Sequence, residues 1–172
     1  MIGILPIKTI WRKINYIFTP VNDLVKFKER NNILVLGGSG QIGSEIRNII
    51  SEDSFFFPKK KELDLRSEVE IITFFKKNNF DLILNLAAFT DVDSAENKRE
   101  EALSVNHIAA KIIARESFKK NIGLIHISTD YVFGKSETGP FNADSPKNPI
   151  NYYGITKSLG EDDVLLLNNK SM

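Results

Sequence analysis

At 172 residues the chain is long enough to bury one sizeable core and too short to be read as two domains of ordinary size. Its 23 basic residues are balanced by 22 acidic ones, and a net charge of +1 gives no argument for nucleic acid as a partner. Without cysteine there are no disulfides and no thiolate metal site, and two histidines, His107 and His126, are too few for a metal cluster.

Residues 1–31 stand apart. Met1 to Pro20 is apolar with scattered Lys8, Arg12 and Lys13, and no acid precedes Asp23. A secretory signal would put its charge first and a small-residue cleavage site later, so the segment is not read as one. Ile7, Ile10, Ile14 and Ile17/Phe18 recur at helical spacing. That suits a membrane-surface helix, or more simply a packing arm or the tail of an upstream segment. No apolar run approaches the length of a membrane span. Asn31-Asn32 marks a boundary, giving an N-terminal extension over 1–31 and one domain over 32–172.

The domain opens on Ile33-Leu34-Val35-Leu36, a wholly apolar run of the kind a parallel sheet covered on both faces requires. It passes straight into a turn with Gly37, Gly40 and Gly43, spaced G-x-x-G-x-x-G. Behind the turn, Ile42, Ile46, Ile49 and Ile50 fall on one face of a helix. Strand, glycine turn and helix in this order form a dinucleotide-binding pattern. Gly37 permits the sharp turn, Gly40 lets a pyrophosphate approach the backbone, and Gly43 lets helix and strand pack closely. The helix N-terminus adds free N–H groups and a partial positive charge.

Phe55-Phe56-Phe57, stopped by Pro58, reads as the second strand. The residue closing this strand reads the adenine ribose, and here no acid stands there while Lys59-Lys60-Lys61 follows, which tilts the coenzyme towards NADP over NAD. Leu63-Asp64-Leu65 reads as a third strand end. Ser67-Glu68-Val69-Glu70 is a capping-box pattern opening a helix that carries Ile71, Ile72 and Phe75. Phe80 to Ala88 reads as the fourth strand, with small Ala87 and Ala88 leaving room for a ligand. A long helix follows, striped by Ala102, Val105, Ala109 and Ile112. Ile122 to Ser128 reads as the fifth strand. His126 in that run and His107 in the helix are read as structural. Strand and helix alternate throughout, so the expected fold is α/β, a doubly wound, Rossmann-like parallel sheet.

The chemistry is expected where the fifth strand ends, at Ser128-Thr129-Asp130, and in the helix begun by Asn151-Tyr152-Tyr153-Gly154-Ile155-Thr156-Lys157. Tyr153 and Lys157 stand one turn apart on one helix face. A tyrosine titrates near pH ~10, and a lysine ammonium beside it would favour the phenolate and lower that value. Thr129 can hydrogen-bond an oxygen on which charge changes.

Together these strings resemble the dTDP-4-dehydrorhamnose reductase (RmlD-type) branch of the extended short-chain dehydrogenase/reductases. The likeness runs from Asn32 to about Leu167. It is carried by Gly-Gly-Ser-Gly-Gln-Ile-Gly, Leu-Asp-Leu, Asn-Leu-Ala-Ala-Phe-Thr, Ser-Thr-Asp-Tyr-Val-Phe and Tyr-Gly-Ile-Thr-Lys, and by Thr90-Asp91-Val92-Asp93-Ser94-Ala95-Glu96, similar to the family's T-x-V-D-x-A-E.

The resemblance implies a cytoplasmic, NAD(P)H-dependent reductase of a nucleotide-linked 4-keto-6-deoxy sugar, serving dTDP-L-rhamnose and polysaccharide synthesis. It implies that Gly40, Gln41 and Ile42 lie against the pyrophosphate, that Asp64 and Leu65 meet the adenine, and that Ala87, Ala88 and Phe89 line the coenzyme. Tyr153 becomes the proton donor and, with Lys157, a coenzyme-binding residue, Lys157 supports it and holds the nicotinamide ribose, and Thr129 polarises the 4-keto oxygen, with Asp130 beside the sugar. Asn106 matches a helix asparagine that orders a proton-relay water in many relatives. Phe89 departs from the histidine or tyrosine common there. Family members also continue past the point matching Met172 with further strands and a substrate-binding region. The chain is therefore expected to be inactive alone, needing a missing C-terminal half or a second copy. Two other functions fit the same pattern: an NAD(P)-binding regulatory subunit of the methionine adenosyltransferase beta type, and a sugar-nucleotide epimerase or dehydratase. The intact Thr129/Tyr153/Lys157 set argues against the first and the Ser-Thr-Asp-Tyr-Val-Phe string against the second.

Overall fold

The computed structural model describes residues 32–50, 54–134 and 140–172. The expectations for residues 1–31 lie outside the described residues. The elements are β1 (Ile33–Leu36), α1 (Gln41–Ile49), β2 (Phe55–Phe56), α2 (Glu68–Lys77), β3 (Leu82–Asn85), α3 (Val92–Asn97), α4 (Arg99–Leu103), a π-helical turn (Ser104–Ala109), α5 (Ala110–Lys119), β4 (Gly123–His126), a 3-10 turn (Asp130–Val132) and α6 (Tyr152–Leu167).

All strand pairs are parallel, in the order β2-β1-β3-β4. β1 is buried on both faces, as its unbroken apolar run requires. The strand order reverses about β1, so the crevice between β1 and β3 is the switch point where an open α/β sheet binds ligands. Past α6 the backbone returns to the sheet beside β4. The Met172 N–H donates to the Leu124 carbonyl at 2.9 Å and the His126 N–H to the Met172 carbonyl at 2.8 Å. The core gathers Leu34, Leu36, Ile83 and Leu124 from the strands, with Ile71 and Phe75 of α2, Ile112 and Ile113 of α5 and Val164 of α6.

Local chemistry places the helices. Ser67 caps α2, accepting from the Glu70 N–H at 3.3 Å. The expected capping box is half-formed, because the Glu70 carboxylate turns instead to the Asp64 N–H at 2.9 Å. Asp91 caps α3 through the Ser94 N–H, and Asn151 caps α6 through the Gly154 N–H at 2.7 Å. Glu96, the last residue of Thr-Asp-Val-Asp-Ser-Ala-Glu, accepts from the Tyr152 N–H at 2.7 Å and so pins the start of α6.

Two strand expectations change. Leu63-Asp64-Leu65 is not a strand but follows a turn in which the Lys59 carbonyl accepts from the N–H groups of Glu62 and Leu63. Leu63 is buried as a core plug, and burial of that kind gives the same sequence signal as a strand. β3 ends at Asn85, so Ala87 and Ala88 belong to the loop above the sheet, where they meet the glycine turn directly.

Candidate functional site

The glycine turn has the shape a dinucleotide cradle needs. Gly37 sits at φ +79, and a Cβ there would lie 2.7 Å from the Ala87 nitrogen. A Cβ on Gly43 would lie 2.5 Å from the Gly37 carbonyl oxygen, so only glycine lets α1 close onto the turn. Gly40 differs. A Cβ there would meet only the Gly37 oxygen, at 3.3 Å, and would otherwise project into open space. Gly40 is also the N-cap of α1, with no side-chain cap and no acid in the first turn. The first N–H groups of α1 are thus left for an anion. They face a cavity of about 450 Å³ lined by Gly40, Gln41, Ile42, Ala87, Ala88 and Thr90.

A second cavity, of about 260 Å³, continues from Gly37 and Gly38 to Lys60, Asp64, Leu65, Arg66 and Phe89. Asp64 reaches it, but with its carboxylate already taken. Arg66 donates from Nε at 3.0 Å and from Nη2 at 2.6 Å, and these hydrogen bonds hold the Asp64 pKa down at about 2. On the adjoining edge Arg47 lies over the Phe57 ring at 4.5 Å. Both arginines were passed over in the sequence reading, and Arg66 lines the cavity. The Leu-Asp-Leu-Arg run carried the signal for Arg66.

Beyond this cradle the loop after β4 meets α6. Thr129 caps the 3-10 turn, accepting from the Tyr131 N–H at 3.3 Å, and its hydroxyl donates to Asp130 Oδ1 at 3.3 Å. Asp130 is exposed at the rim, while Tyr153 is buried beside the ring of Tyr131. Burial is the main cause of the raised Tyr153 pKa, opposed by the Thr129 hydrogen bond and reinforced by Asp130 and Tyr131. Tyr153 is therefore a phenol at neutral pH, the form that can give a proton.

Lys157 corrects the expectation that its ammonium lowers the tyrosine pKa. Its side chain is 2% exposed, yet Nζ donates to the Ile127 carbonyl at 2.5 Å and lies 3.4 Å from His126 Nε2. Burial, the main cause, lowers the Lys157 pKa from 10.5 to about 8, opposed by the charge of Glu161. The Ile127 carbonyl, one residue past β4, takes the Lys157 donor, and the Lys157 charge is not among the groups that shift Tyr153. His126, read from the sequence as structural, thus stands within the site.

Asn106 is fully buried in the π-helical turn. Its Oδ1 accepts from the Phe89 N–H at 2.8 Å, and its Nδ2 donates to the Phe89 carbonyl at 3.1 Å and to Thr156 Oγ1 at 3.0 Å. Both amide hydrogens are spent on protein, so the side chain ties the Ala87–Phe89 loop to α6. π-Turns of this kind concentrate at functional sites. Asn106→Leu should strand the Phe89 N–H and carbonyl, lowering stability by about 2–3 kcal/mol. Urea denaturation checks this, and an unchanged midpoint would show the tether to be idle.

Another cavity, of about 530 Å³, adjoins the carboxyl end of β4 and is lined by His126, Ser128, Phe133, Lys147 and Glu161. Its lysine is already paired with Glu161 and Asp162, and neither Tyr153 nor Lys157 lines it. The cavities above the glycine turn are the ones where backbone donors, Phe89 and the coenzyme-side loop converge.

Known proteins resemble this chain in sequence and in fold. Residues 31–172 match the family model described as the RmlD substrate binding domain. The spore coat polysaccharide biosynthesis protein SpsK of Bacillus subtilis is 33% identical over 141 residues, which cover 81% of this chain and 50% of that protein. A dTDP-4-dehydrorhamnose reductase of Mycolicibacterium smegmatis is 44% identical over 88 residues, covering 51% of this chain and 27% of that protein. Among solved structures, the dTDP-4-dehydrorhamnose reductase of Bacillus anthracis in complex with NADP superposes with a TM-score of 0.77 at 30% identity, covering 83% of this chain and 51% of that one. The chain spans about half the length of the curated relatives it matches. With 142 consecutive residues, 31–172, inside the family model and the glycine turn, Thr129, Tyr153 and Lys157 all within that span, the chain belongs to the RmlD substrate binding domain family.

Proposed function

We propose that this chain is the coenzyme-binding and proton-donating part of an NAD(P)H-dependent reductase acting on a nucleotide-linked 4-keto-6-deoxy sugar, of the dTDP-4-dehydrorhamnose reductase type. The observation that carries this reading is the placement of a protonated, buried Tyr153 beside Thr129 at the end of β4, on the same sheet edge as an open anion cradle at Gly40. The bound coenzyme would supply a hydride to the sugar carbonyl. The chain's residues would do the rest. Gly40, Gln41 and Ile42 would hold the pyrophosphate, and Ala87, Ala88 and Phe89 would shape the slot above the sheet. Thr129 would donate to the carbonyl oxygen, and Tyr153 would give its phenolic proton to that oxygen as charge develops on it. Lys157 would hold the ribose hydroxyls once drawn from the Ile127 carbonyl, and Asp130 would meet the sugar from the rim.

The coenzyme reading extends to a preference for NADPH. No acid closes β2, Lys60 lines the adjoining cavity, and Asp64 is neutralised by Arg66 rather than left to accept from a ribose hydroxyl. We further place the start of this functional unit at Asn32, with residues 1–31 dispensable for coenzyme binding, and locate the protein in the cytoplasm. Among the described residues no helix is long and apolar enough to cross a membrane.

Fluorescence titration tests the cradle. NADPH should bind more tightly than NADH, and Gly40→Val should weaken NADPH at least about tenfold, some 1.4 kcal/mol. The backbone angle at Gly40, φ −75, suits valine, so the fold is expected to persist. Equal binding by the wild type and the variant would remove the cradle from the argument.

A further inference from the structure

We propose that His126, oriented by Asn85, is a positioning residue for Lys157: its ring presents an N–H to the lysine nitrogen, so that the lysine is held as a readily exchanging amine/ammonium rather than as a fixed cation. The inference rests on Lys157 being the lysine of the proposed reductase site.

The geometry sets the ring's hydrogen. Asn85 and His126 are register partners at the carboxyl ends of β3 and β4. The Ala87 N–H donates to Asn85 Oδ1 at 3.2 Å, which fixes the amide so that its NH2 faces His126. Asn85 Nδ2 lies 3.0 Å from His126 Nδ1, which must then accept. A neutral imidazole has one N–H, and with Nδ1 accepting it resides on Nε2. That N–H points at Lys157 Nζ, 3.4 Å away. An ammonium has only donors and cannot answer another donor, whereas an amine can accept it. Burial acts in the same sense on both groups, bringing His126 down to about 3 and Lys157 to about 8. The chain of contacts begins at Ala87, against which Gly37 is packed, so it links the coenzyme cradle to Lys157.

Several other ionisable groups lie on the elements packed around Lys157. Tyr153 and Glu161 share its helix, and Glu161 is bound by Lys147. Asp130 and Tyr131 lie on the 3-10 turn, Glu96 of α3 is held by the Tyr152 N–H, and His107 and Lys111 pair with Asp163. Glu161 is the one of these whose charge acts on Lys157, and it favours the ammonium. It cannot be the source of the lowered affinity.

NMR of the 172-residue chain tests this without coenzyme or substrate. Ring-nitrogen shifts report the tautomer of His126, one of two histidines, and lysine side-chain resonances, assigned by loss in Lys157→Met, report the Lys157 titration. In the wild type the His126 hydrogen should sit on Nε2. His126→Gln, which offers an acceptor oxygen in place of the N–H, should raise the Lys157 midpoint by about one pH unit, a tenfold gain in proton affinity. Asn85→Asp should accept from Nδ1, move the ring hydrogen there, and raise the midpoint as well. This second variant changes no volume, so it decides the matter if His126→Gln does not fold. A wild-type hydrogen on Nδ1 would overturn the proposal. So would a Lys157 midpoint unmoved in folded His126→Gln, or a rise in Asn85→Asp without a change of tautomer. Failure to bind coenzyme would count against the proposed function and leave this result standing.

Discussion

Tyr153→Phe is expected to lower reductase turnover about 10²–10⁴-fold while leaving coenzyme titration unchanged. The substitution removes one oxygen from a ring that is 8% exposed and packed with Ala95 and Ala102, so the packing that seats it survives. What disappears is the proton. Burial holds the Tyr153 phenol protonated at neutral pH, so its loss takes away the buried proton donor of the site. Hydride delivery to a carbonyl without a proton donor leaves an alkoxide in a site with little to stabilise it. The assay follows NAD(P)H oxidation with dTDP-4-keto-6-deoxy-L-mannose, on this chain alone and supplemented with the C-terminal half of a matching reductase. Turnover is expected only in the supplemented protein, because positioning the sugar against the coenzyme supplies roughly 7–11 kcal/mol of barrier reduction. Undiminished turnover by Tyr153→Phe would remove the tyrosine from the chemistry. No turnover in the supplemented wild type, with coenzyme still bound, would favour a coenzyme-binding regulatory subunit instead.

The parts of this site that were legible in the sequence are those set by local backbone rules. An apolar run, three glycines and a helix follow one another within eleven residues, and no other chain conformation satisfies that pattern as well. The side-chain spacing of Tyr153 and Lys157 follows from helix geometry alone. Illegible were the features decided by tertiary partners. Leu63-Asp64-Leu65 has the look of a strand end because Leu63 is buried, but the burial comes from plugging the core beside Ile71 and Phe75. Lys157 shares a helix face with Tyr153, yet its ammonium goes to the Ile127 carbonyl, a group brought there by β4 from 30 residues away. His126 looked like one more residue of an apolar run until the β3–β4 register set it opposite Asn85. Asn106 looked like a helix asparagine, and only the π-helical turn reveals that it faces the Phe89 backbone.

Lys157→Met is expected to stabilise the fold by about 2 kcal/mol at pH 7 while depriving the site of its lysine. The wild type buries this cation almost completely, and the gap between the ordinary 10.5 and about 8 converts to about 3 kcal/mol of cost. Methionine fills a similar volume without a charge, and losing the donor to the Ile127 carbonyl gives back about 1 kcal/mol. The pH dependence carries the sign. Because the folded-state pKa is the lower one, the unfolded chain binds more protons between pH 8 and 10.5, so wild-type stability rises with pH across that window. The penalty is present in full below pH 8 and gone above 10.5. The advantage of Lys157→Met should therefore be greatest at neutral pH, shrink through the same window and vanish above it. His126 acts on the acid side. Its pKa falls from 6.5 to about 3, mainly through burial and partly through the Lys157 charge, so stability drops as pH is lowered through that range. With Lys157 gone, part of that acid slope should go too. Urea denaturation from pH 4 to 11 measures both limbs. A destabilised Lys157→Met, or a gain that does not change between pH 7 and 11, would show that the lysine charge is not what the fold pays to keep.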